Sequence, residues 1–416
     1  MTTTNSSREG RAYEWIRAIT ENPDRFAGSA AERTVAERIG GWMRELGTAE
    51  VVVEPAPSAP RAGFVLALHA AVALLGLWIG HFFGAALTVL ALWSFHGDMR
   101  RNRRRLSRFL SARGSVNVVG RHGTGTPTRR VVLSAHIDSA QAGLLFSKAL
   151  ADRFAAIAGR RAKDGPPPGP LALPEALQVA AALLAIAGWL GAHGALFSLA
   201  VGGVSAGLLL QLGLTLQWAM SPPTPGANDN ASAVAAMLTC AEQLTPQLPA
   251  DTELWIVGTG AEEVGCCGMH GFVERHREWP AEATFFINFE CVGGGRLHYI
   301  RSEGLLAKGF FPPQLNELAR QVAARGAHGE ITPTDLLAAT DGHVPASHGY
   351  PTLSLISLES NGVPRNYHRV EDTVDALDMS MVVRAADFGT AVALAALQPR
   401  AATQRHGVNG EGMNLR

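Results

Sequence analysis

The sequence predicts an α/β protein: a mixed, mainly parallel central sheet flanked by helices, with up to four transmembrane helices in two hairpins. Three observations predict this. Strand-like and helical patterns alternate through the second half of the 416-residue chain, which argues for a sheet covered on both faces. Two long apolar runs, near 62–95 and 173–220, interrupt the pattern. Acidic and histidine residues stand just after the apolar strand-like runs, where open α/β sheets place their ligand sites.

Residues 11–47 read as helical, with Val35, Ile39, Trp42, Met43 and Leu46 near one face and Gly47 as a stop signal. EVVVEP, residues 50–55, reads as a strand. The run from Ala62 to Phe95 is broken only at Gly80–His81. Its two spans have about 15–17 residues each, short of the roughly 20 that cross a bilayer, so it reads as a tight membrane hairpin. A buried or re-entrant helix pair is the alternative. Strand patterns return in SVNVVG and RRVVLSAHID. Residues 140–163 then read as a basic amphipathic helix. Leu144, Leu145, Leu150, Phe154 and Ile157 lie on one side, and Lys148, Arg153, Arg160, Arg161 and Lys163 supply charge. An ordinary domain helix fits the same pattern. After the linker DGPPPGP comes the second apolar run, whose halves of about 18 and 25 residues around GAHG suffice for two spans.

From Pro222 the expected elements are helix 229–244, strand 253–259, helix 265–276, strand 283–290, a short strand near 297–301, helix 313–325, strand 352–357 and helix 378–397. The organisation expected is thus an α/β domain in three pieces, 1–60, 98–139 and 222–398. The first hairpin, 61–97, and an insertion, 140–221, with the amphipathic helix and second hairpin, divide it. Residues 399–416 read as a disordered tail.

Lys plus Arg and Asp plus Glu both number 36, so net charge gives no case for a nucleic-acid partner. Arg100, Arg101, Arg103, Arg104, Arg105, Arg108 and Arg113 crowd the end of the first apolar run and read as juxtamembrane. Positive charge flanking the spans predicts a catalytic domain on the cytoplasmic side of a bacterial-type inner membrane. Cys240, Cys266, Cys267 and Cys291 have no metal-ligand spacing and suggest a reducing compartment. MTTTNSSREGRAYEW lacks the form of a signal peptide. The spans lack paired ionisable residues, which argues against a transporter.

The strand-end residues suit a hydrolytic metal site. Two ions about 3.5–4 Å apart need a bridging carboxylate, and Asp229 in the turn PGANDNASA has that character. His136 and Glu290 would complete one ion's protein ligands. Glu263 and His368 would complete the other's, leaving each an open position. Glu262, beside a ligand, is the candidate general base, taking a proton from the attacking water and passing it to the leaving amine. Asp138, two residues beyond His136 on one strand face, is expected to hold the second imidazole nitrogen in support of catalysis, and Asp372 to do the same for His368. Tyr367 is a candidate donor to the developing oxyanion, or a packed aromatic.

The order His-x-Asp, Asp-Asn turn, Glu-Glu, acidic residue, DGHVP and Tyr-His resembles the co-catalytic zinc aminopeptidase family. Its relatives include bacterial leucyl aminopeptidases, glutamate carboxypeptidases and glutaminyl cyclases. RFAGSAAER is similar to the family's N-terminal segment. TDGHVPASHGYPTLSL is similar to its Asp-His-Pro segment, with Gly342 set between Asp341 and His343. The resemblance implies a phosphorylase/hydrolase-like zinc peptidase fold, two zinc ions per chain and a peptide substrate. It assigns His136, Asp229 and Glu290 to one ion, Asp229, Glu263 and His368 to the other, and Glu262 as base; Asp341 and His343 become supporting residues. Glu290 stands where aminopeptidase members usually carry Asp, which moves the carboxylate. Both hairpins lie outside the resemblance. The second leaves and rejoins beside two ligands, so the rim of the site is expected near the bilayer, with membrane-proximal peptides as substrates.

A glutaminyl cyclase-type acyltransferase, a carboxypeptidase, and a receptor or scaffold built on an inactive peptidase are the competing readings. Every ligand position holds a competent residue, which disfavours the inactive form.

Overall fold

The structure is a computed structural model that describes residues 2–100, 104–123, 126–150, 152–153, 171–304 and 308–398. The N-terminal helical region is two helices, not one. Helices α1 (Thr2–Thr20) and α2 (Ala30–Glu45) are separated by a turn containing Pro23. Ser29 restarts the helix, its hydroxyl accepting from Glu32 N at 3.0 Å. Val35, Ile39 and Met43 are buried on the predicted face.

Strand β1 (Glu50–Ala56) pairs antiparallel with β2 (Ser115–His122). Between them helices α3 (Ala62–Ile79) and α4 (His81–Arg100) form the first hairpin. At 18 and 20 residues they are longer than the sequence suggested, because the helices run through the full apolar run and beyond it, turning on Gly80 and His81, both at positive φ. β3 (Arg129–His136) follows.

The expected helix over 140–163 is absent from its first part. Residues 144–146 form a single 3₁₀ turn and helical geometry begins at Lys148. Ala142 N donates to Pro222 O and Thr224 N to Ala140 O, each at 2.9 Å, so the extended chain is held where the insertion leaves and returns. Residues 154–163, the DGPPPGP linker, Arg101, Arg103 and the tail 399–416 lie outside the described residues.

Helices α5 (Ala172–Trp189) and α6 (Ala195–Met220) make the second hairpin. The two hairpins, distant in sequence, pack as one four-helix bundle, with α3 against α4, α5 and α6, and α4 against α5. A Cβ on Gly63 of α3 would lie 2.6 Å from Thr215 O and 2.9 Å from Ala219 of α6, so small residues set that crossing. His69 is enclosed in the bundle, its Nε2 2.9 Å from Ser94 Oγ and 3.2 Å from Asp98 Oδ2.

Among the described residues, four helices are long and apolar enough to cross a membrane: α3, α5, α6 and the C-terminal helix Met379–Ala396. The last is a core helix, its Val382, Ala386, Phe388 and Val392 fully buried in the main hydrophobic core. The bundle, by contrast, turns large apolar side chains outward, Trp78 at 73 %, Phe83 at 76 % and Leu196 at 84 % exposure.

The remaining elements are α7 (Ala233–Leu244), β4 (Thr252–Thr259), α8 (Cys267–Arg275), β5 (Thr284–Glu290), β6 (Arg296–Glu303), β7 (Gly309–Phe310), α9 (Pro313–Ala324), β8 (Thr332–Leu336), α10 (His343–Ser347), β9 (Thr352–Leu358) and α11 (Met379–Ala396). Among the described residues, nine strands form one mixed sheet in the order β1-β2-β4-β3-β5-β9-β6-β7, with β8 on β6. Its centre, β4-β3-β5-β9, is parallel, and antiparallel pairs flank it on both sides. The main core lies between one sheet face and α1, α2, α7, α9 and α11; a smaller cluster around Phe272, Met269 and Phe286 packs under α8 on the other. All four cysteines are free and buried.

Candidate metal centre

The parallel register brings the chemistry together. His136 at the end of β3 pairs with Thr259 at the end of β4, and β5 runs alongside to Glu290. Beyond β4 the chain must turn sharply under the site. Gly260 permits this, since a Cβ there would meet Val116 O at 2.3 Å. Ala261, Cys266, Cys291 and His368 hold left-handed φ of 54°, 52°, 48° and 52°, conformations that cost of order 1 kcal/mol or more each and concentrate here.

Asp229 is central. Its Oδ1 lies 3.2 Å from His136 Nε2 and its Oδ2 lies 3.3 Å from His368 Nε2. Glu290 Oε1 stands 3.3 Å from the first imidazole, and Glu263 Oε2 stands 3.2 Å from the second. One buried carboxylate is thus shared by two imidazole–carboxylate pairs. Glu262 Oε2 is farther, 3.9 Å from His136 Nε2.

Burial pushes the Glu262, Glu263 and Glu290 carboxyls up. His136 and His368 hold Asp229 below the usual carboxylate range despite its burial. Burial works against charge on His368 as well, yet Glu263 and Asp229 raise it to about 10. Among the described residues, Asp229 Oδ2, Glu263 Oε1 and His368 Nδ1 are buried without a hydrogen-bond partner. His136, Asp229 and Glu263 offer ligand atoms within 4.8 Å of one another, as do Asp229, Glu290 and Cys291. Oxygen and imidazole donors of this kind fit a divalent metal.

The supporting residues divide. His136 Nδ1 lies 3.2 Å from the Asp138 backbone carbonyl and 3.4 Å from its Oδ1, and the Asp138 carboxylate accepts from Glu262 N at 3.1 Å and Glu263 N at 3.2 Å, so this one residue orients the imidazole and the Glu–Glu turn together. Asp372 does not reach the His368 ring. It accepts instead from Asn228 N at 2.7 Å and Asp229 N at 3.0 Å, because the turn's free N–H groups face it. Asp341 accepts from the Thr259 hydroxyl, and His343 Nδ1 lies 4.0 Å from Glu303 Oε1, so neither is hydrogen-bonded to a ligand side chain. The Tyr367 ring stacks on His368 with centroids 3.9 Å apart. Burial, then the charges of Asp229 and Glu263, push its phenol well above the usual range, so the hydroxyl keeps its proton.

Several participants were not singled out from the sequence. Asn230 accepts from Cys291 N at 2.8 Å and donates to Glu290 Oε2 at 3.4 Å, pinning the end of β5. The Cys266 thiol donates to Glu262 Oε1 at 3.4 Å. Arg25 is fully buried beneath the site, donating to Ile137 O at 3.1 Å, Pro225 O at 2.7 Å and Gly226 O at 2.6 Å. Burial lowers its pKa to about 10, opposed by Asp372, Asp138, Asp229 and Glu263, so it stays charged at neutral pH. Nothing local distinguishes Arg25 from a solvated loop arginine; its place within RFAGSAAER is the only signal.

Glu32 accepts from Ser115 Oγ, Ala261 N and Gly28 N, yet burial and then Asp138 push its carboxyl from 4.5 up to about 8. Burial also raises Glu303 well above the carboxylate range. Both hold a proton in the fold that the unfolded chain has lost, so stability falls as pH rises from about 4.5 through about 8. Melting of the chelated protein should therefore move to lower temperature from about pH 5 to about pH 8. Glu303→Gln should make that fall shallower, and an unchanged slope would count against the assignment.

The sequence profile of peptidase family M28 matches residues 215–393. Aminopeptidase YwaD of Bacillus subtilis is 27 % identical over 191 residues, which take in 44 % of this chain and 41 % of that protein. The chain therefore matches about two fifths of that curated relative's length. A zinc aminopeptidase from Bacillus subtilis shares the fold with a TM-score of 0.55 at 16 % identity, over 94 % of this chain and 96 % of its own. An aminopeptidase from Aneurinibacillus sp. strain AM-1 gives 0.55 at 16 %, over 93 % of each chain. The glutaminyl cyclase of Bacteroides thetaiotaomicron gives 0.51 at 15 %, over 92 % of this chain and 97 % of its own. The sequence match thus covers the segment that carries Asp229, Glu263, Glu290 and His368, and the fold is shared with these aminopeptidases.

Proposed function

We propose that the chain is a membrane-anchored zinc aminopeptidase that hydrolyses N-terminal peptide bonds at a centre for two zinc ions. The observation that carries this reading is Asp229 standing between two imidazole–carboxylate pairs. His136 and Glu290 would hold one ion, Glu263 and His368 the other, with Asp229 shared. That arrangement favours a two-ion hydrolase over a single-ion cyclase. Bound zinc supplies Lewis acidity that makes water easier to deprotonate and polarises a carbonyl.

The chain's own residues do the rest. Glu262 takes the proton of the attacking water and returns it to the leaving amine. Its position is set by its backbone N–H on Asp138 and by the Cys266 thiol on its carboxylate. Asp138 also keeps His136 oriented. The protonated Tyr367 hydroxyl would donate to the developing oxyanion.

The outward apolar side chains of the bundle support a bilayer as its environment, since large exposed apolar patches mark membrane or partner sites. Arg104 and Arg105, at the foot of α4, support a cytoplasmic position for the α/β part. Arg105 folds its guanidinium over Trp93 at 3.5 Å. A membrane-proximal peptide is the substrate this placement favours.

The test is release of amine from a panel of aminoacyl-anilides by the detergent-purified full chain, with zinc and after chelation. Activity should require metal and return on zinc addition. A protein that binds no zinc and cleaves nothing would move the weight to a receptor or scaffold.

A further inference from the structure

Resting on the metal reading above, we infer that the inserted segment is a working part of the centre. Phe146 and Trp218 are positioning residues for the His368 imidazole, and through Trp218 the helical bundle sets where that ligand stands.

A metal-ligating histidine ordinarily donates its other ring N–H to a carboxylate, carbonyl or water, which fixes the ring. Among the described residues His368 has no such partner: its Nδ1 is buried and unpaired, and Asp372 is committed to the Asn228–Asp229 backbone. Rings take that place. Tyr367 stacks on the imidazole at 3.9 Å and 22°. Phe146 closes in at 4.4 Å and 58°, and Trp218 lies nearly parallel at 6.3 Å and 29°. Phe146 also meets Trp218 at 5.2 Å and Tyr367 at 5.8 Å, both edge-on. Aromatic packing therefore confines an imidazole whose Nδ1 has no hydrogen bond to fix it.

The two inserted rings are themselves fixed. Trp218 Nε1 donates to Gln141 O at 3.1 Å, and Leu144 N donates to Gln217 Oε1 at 3.0 Å, which ties the 144–146 turn to the last turns of α6. Gly143 allows the approach, since a Cβ there would lie 3.0 Å from Trp218 Cδ1. Trp218 also packs against the cluster of Leu66, Phe95 and Leu171, which belongs to the bundle. One indole thus packs against the apolar helices and lies 6.3 Å, ring centre to ring centre, from the candidate ligand. A shift of α6 within its surroundings moves Trp218, and Trp218 moves the room available to His368. The bundle is then more than an anchor.

The experiment uses the full chain in detergent, stripped of metal and titrated with zinc against a chromophoric chelator. That reads affinity and stoichiometry without any substrate. His368→Ala should lose one of two ions. Phe146→Ala and Trp218→Ala should weaken the same ion by about 10–100-fold, the range for loss of a ligand's support. Trp218→Phe and Phe146→Tyr, which keep a ring, should restore most of that loss. Melting of the metal-free variants identifies any that fail to fold. Phe146 sits on a short turn, so Phe146→Ala decides the matter if Trp218→Ala unfolds. Zinc binding equal to the parent in both alanine variants, with one ion lost in His368→Ala, would overturn this inference alone. Two tight ions retained in His368→Ala would overturn the ligand assignment and the inference together.

Discussion

Glu262→Gln is expected to lower kcat by about 10²–10⁴ with zinc content and melting temperature close to the parent. The amide keeps the shape of the carboxylate but cannot accept a proton from water. The local structure does not depend on the charge: Glu262 N is held by Asp138, and the Cys266 thiol has an amide oxygen to meet. Metal should survive because Glu262 stands 3.9 Å from His136 Nε2, whereas Glu290 and Asp229 stand at 3.3 and 3.2 Å. Anilide hydrolysis and bound zinc, measured on the same preparation, check this. A variant that turns over within about tenfold of the parent would remove Glu262 from the base role. A variant that loses metal as well would make it a ligand.

Arg25→Met is expected to cost about 3–5 kcal/mol of stability, the scale for stripping one member from a buried charged network. Three carbonyls lose this donor at once, though Gly226 O still accepts from Ala231 N at 3.2 Å. Ile137 O lies between His136 and Asp138, while Pro225 O and Gly226 O precede the Asp229 turn. The guanidinium therefore joins the two chain segments on which the shared carboxylate and the first imidazole are mounted. It is also a buried positive charge close to Asp372, Asp138, Asp229 and Glu263. Arg25→Lys keeps the charge with fewer donors and should fall between parent and Met. Gly226→Ala probes the same contact from the other side: its Cβ would lie 2.4 Å from Arg25 Nη2, at a φ of 64° that favours glycine. Denaturant unfolding of the zinc-free protein measures all three. An Arg25→Met loss below about 1 kcal/mol would show that water replaces the guanidinium without penalty.

Much of the site was legible because its donors follow strands in the sequence. A parallel sheet places the ends of β3, β4 and β5 on one edge, so His136, the Glu262–Glu263 turn and Glu290 are brought together by register alone. Asp138 was legible for the same reason, two residues along from His136. Asp372 was not. Its partner depended on which groups of the Asp229 turn were left without hydrogen bonds, and a distant loop decides that. The helix expected at 140–163 failed at its start for a similar reason. Residues 140–143 spend their hydrogen bonds and packing on the returning segment at Pro222–Thr224 and on Trp218 rather than on a helical turn.

By itself the sequence determined the alternation of strands and helices, the two apolar hairpins and the set of metal-competent side chains at strand ends. These are properties of neighbours along the chain: period, apolar length and position relative to a strand. Only the tertiary structure decided that the hairpins join in one bundle, that α11 is a core helix despite its apolar length, that Arg25 is buried beneath the carboxylates, and that Phe146 and Trp218 enclose His368. Each of those rests on which remote surfaces meet, and packing between segments far apart in sequence leaves no periodic trace in either one.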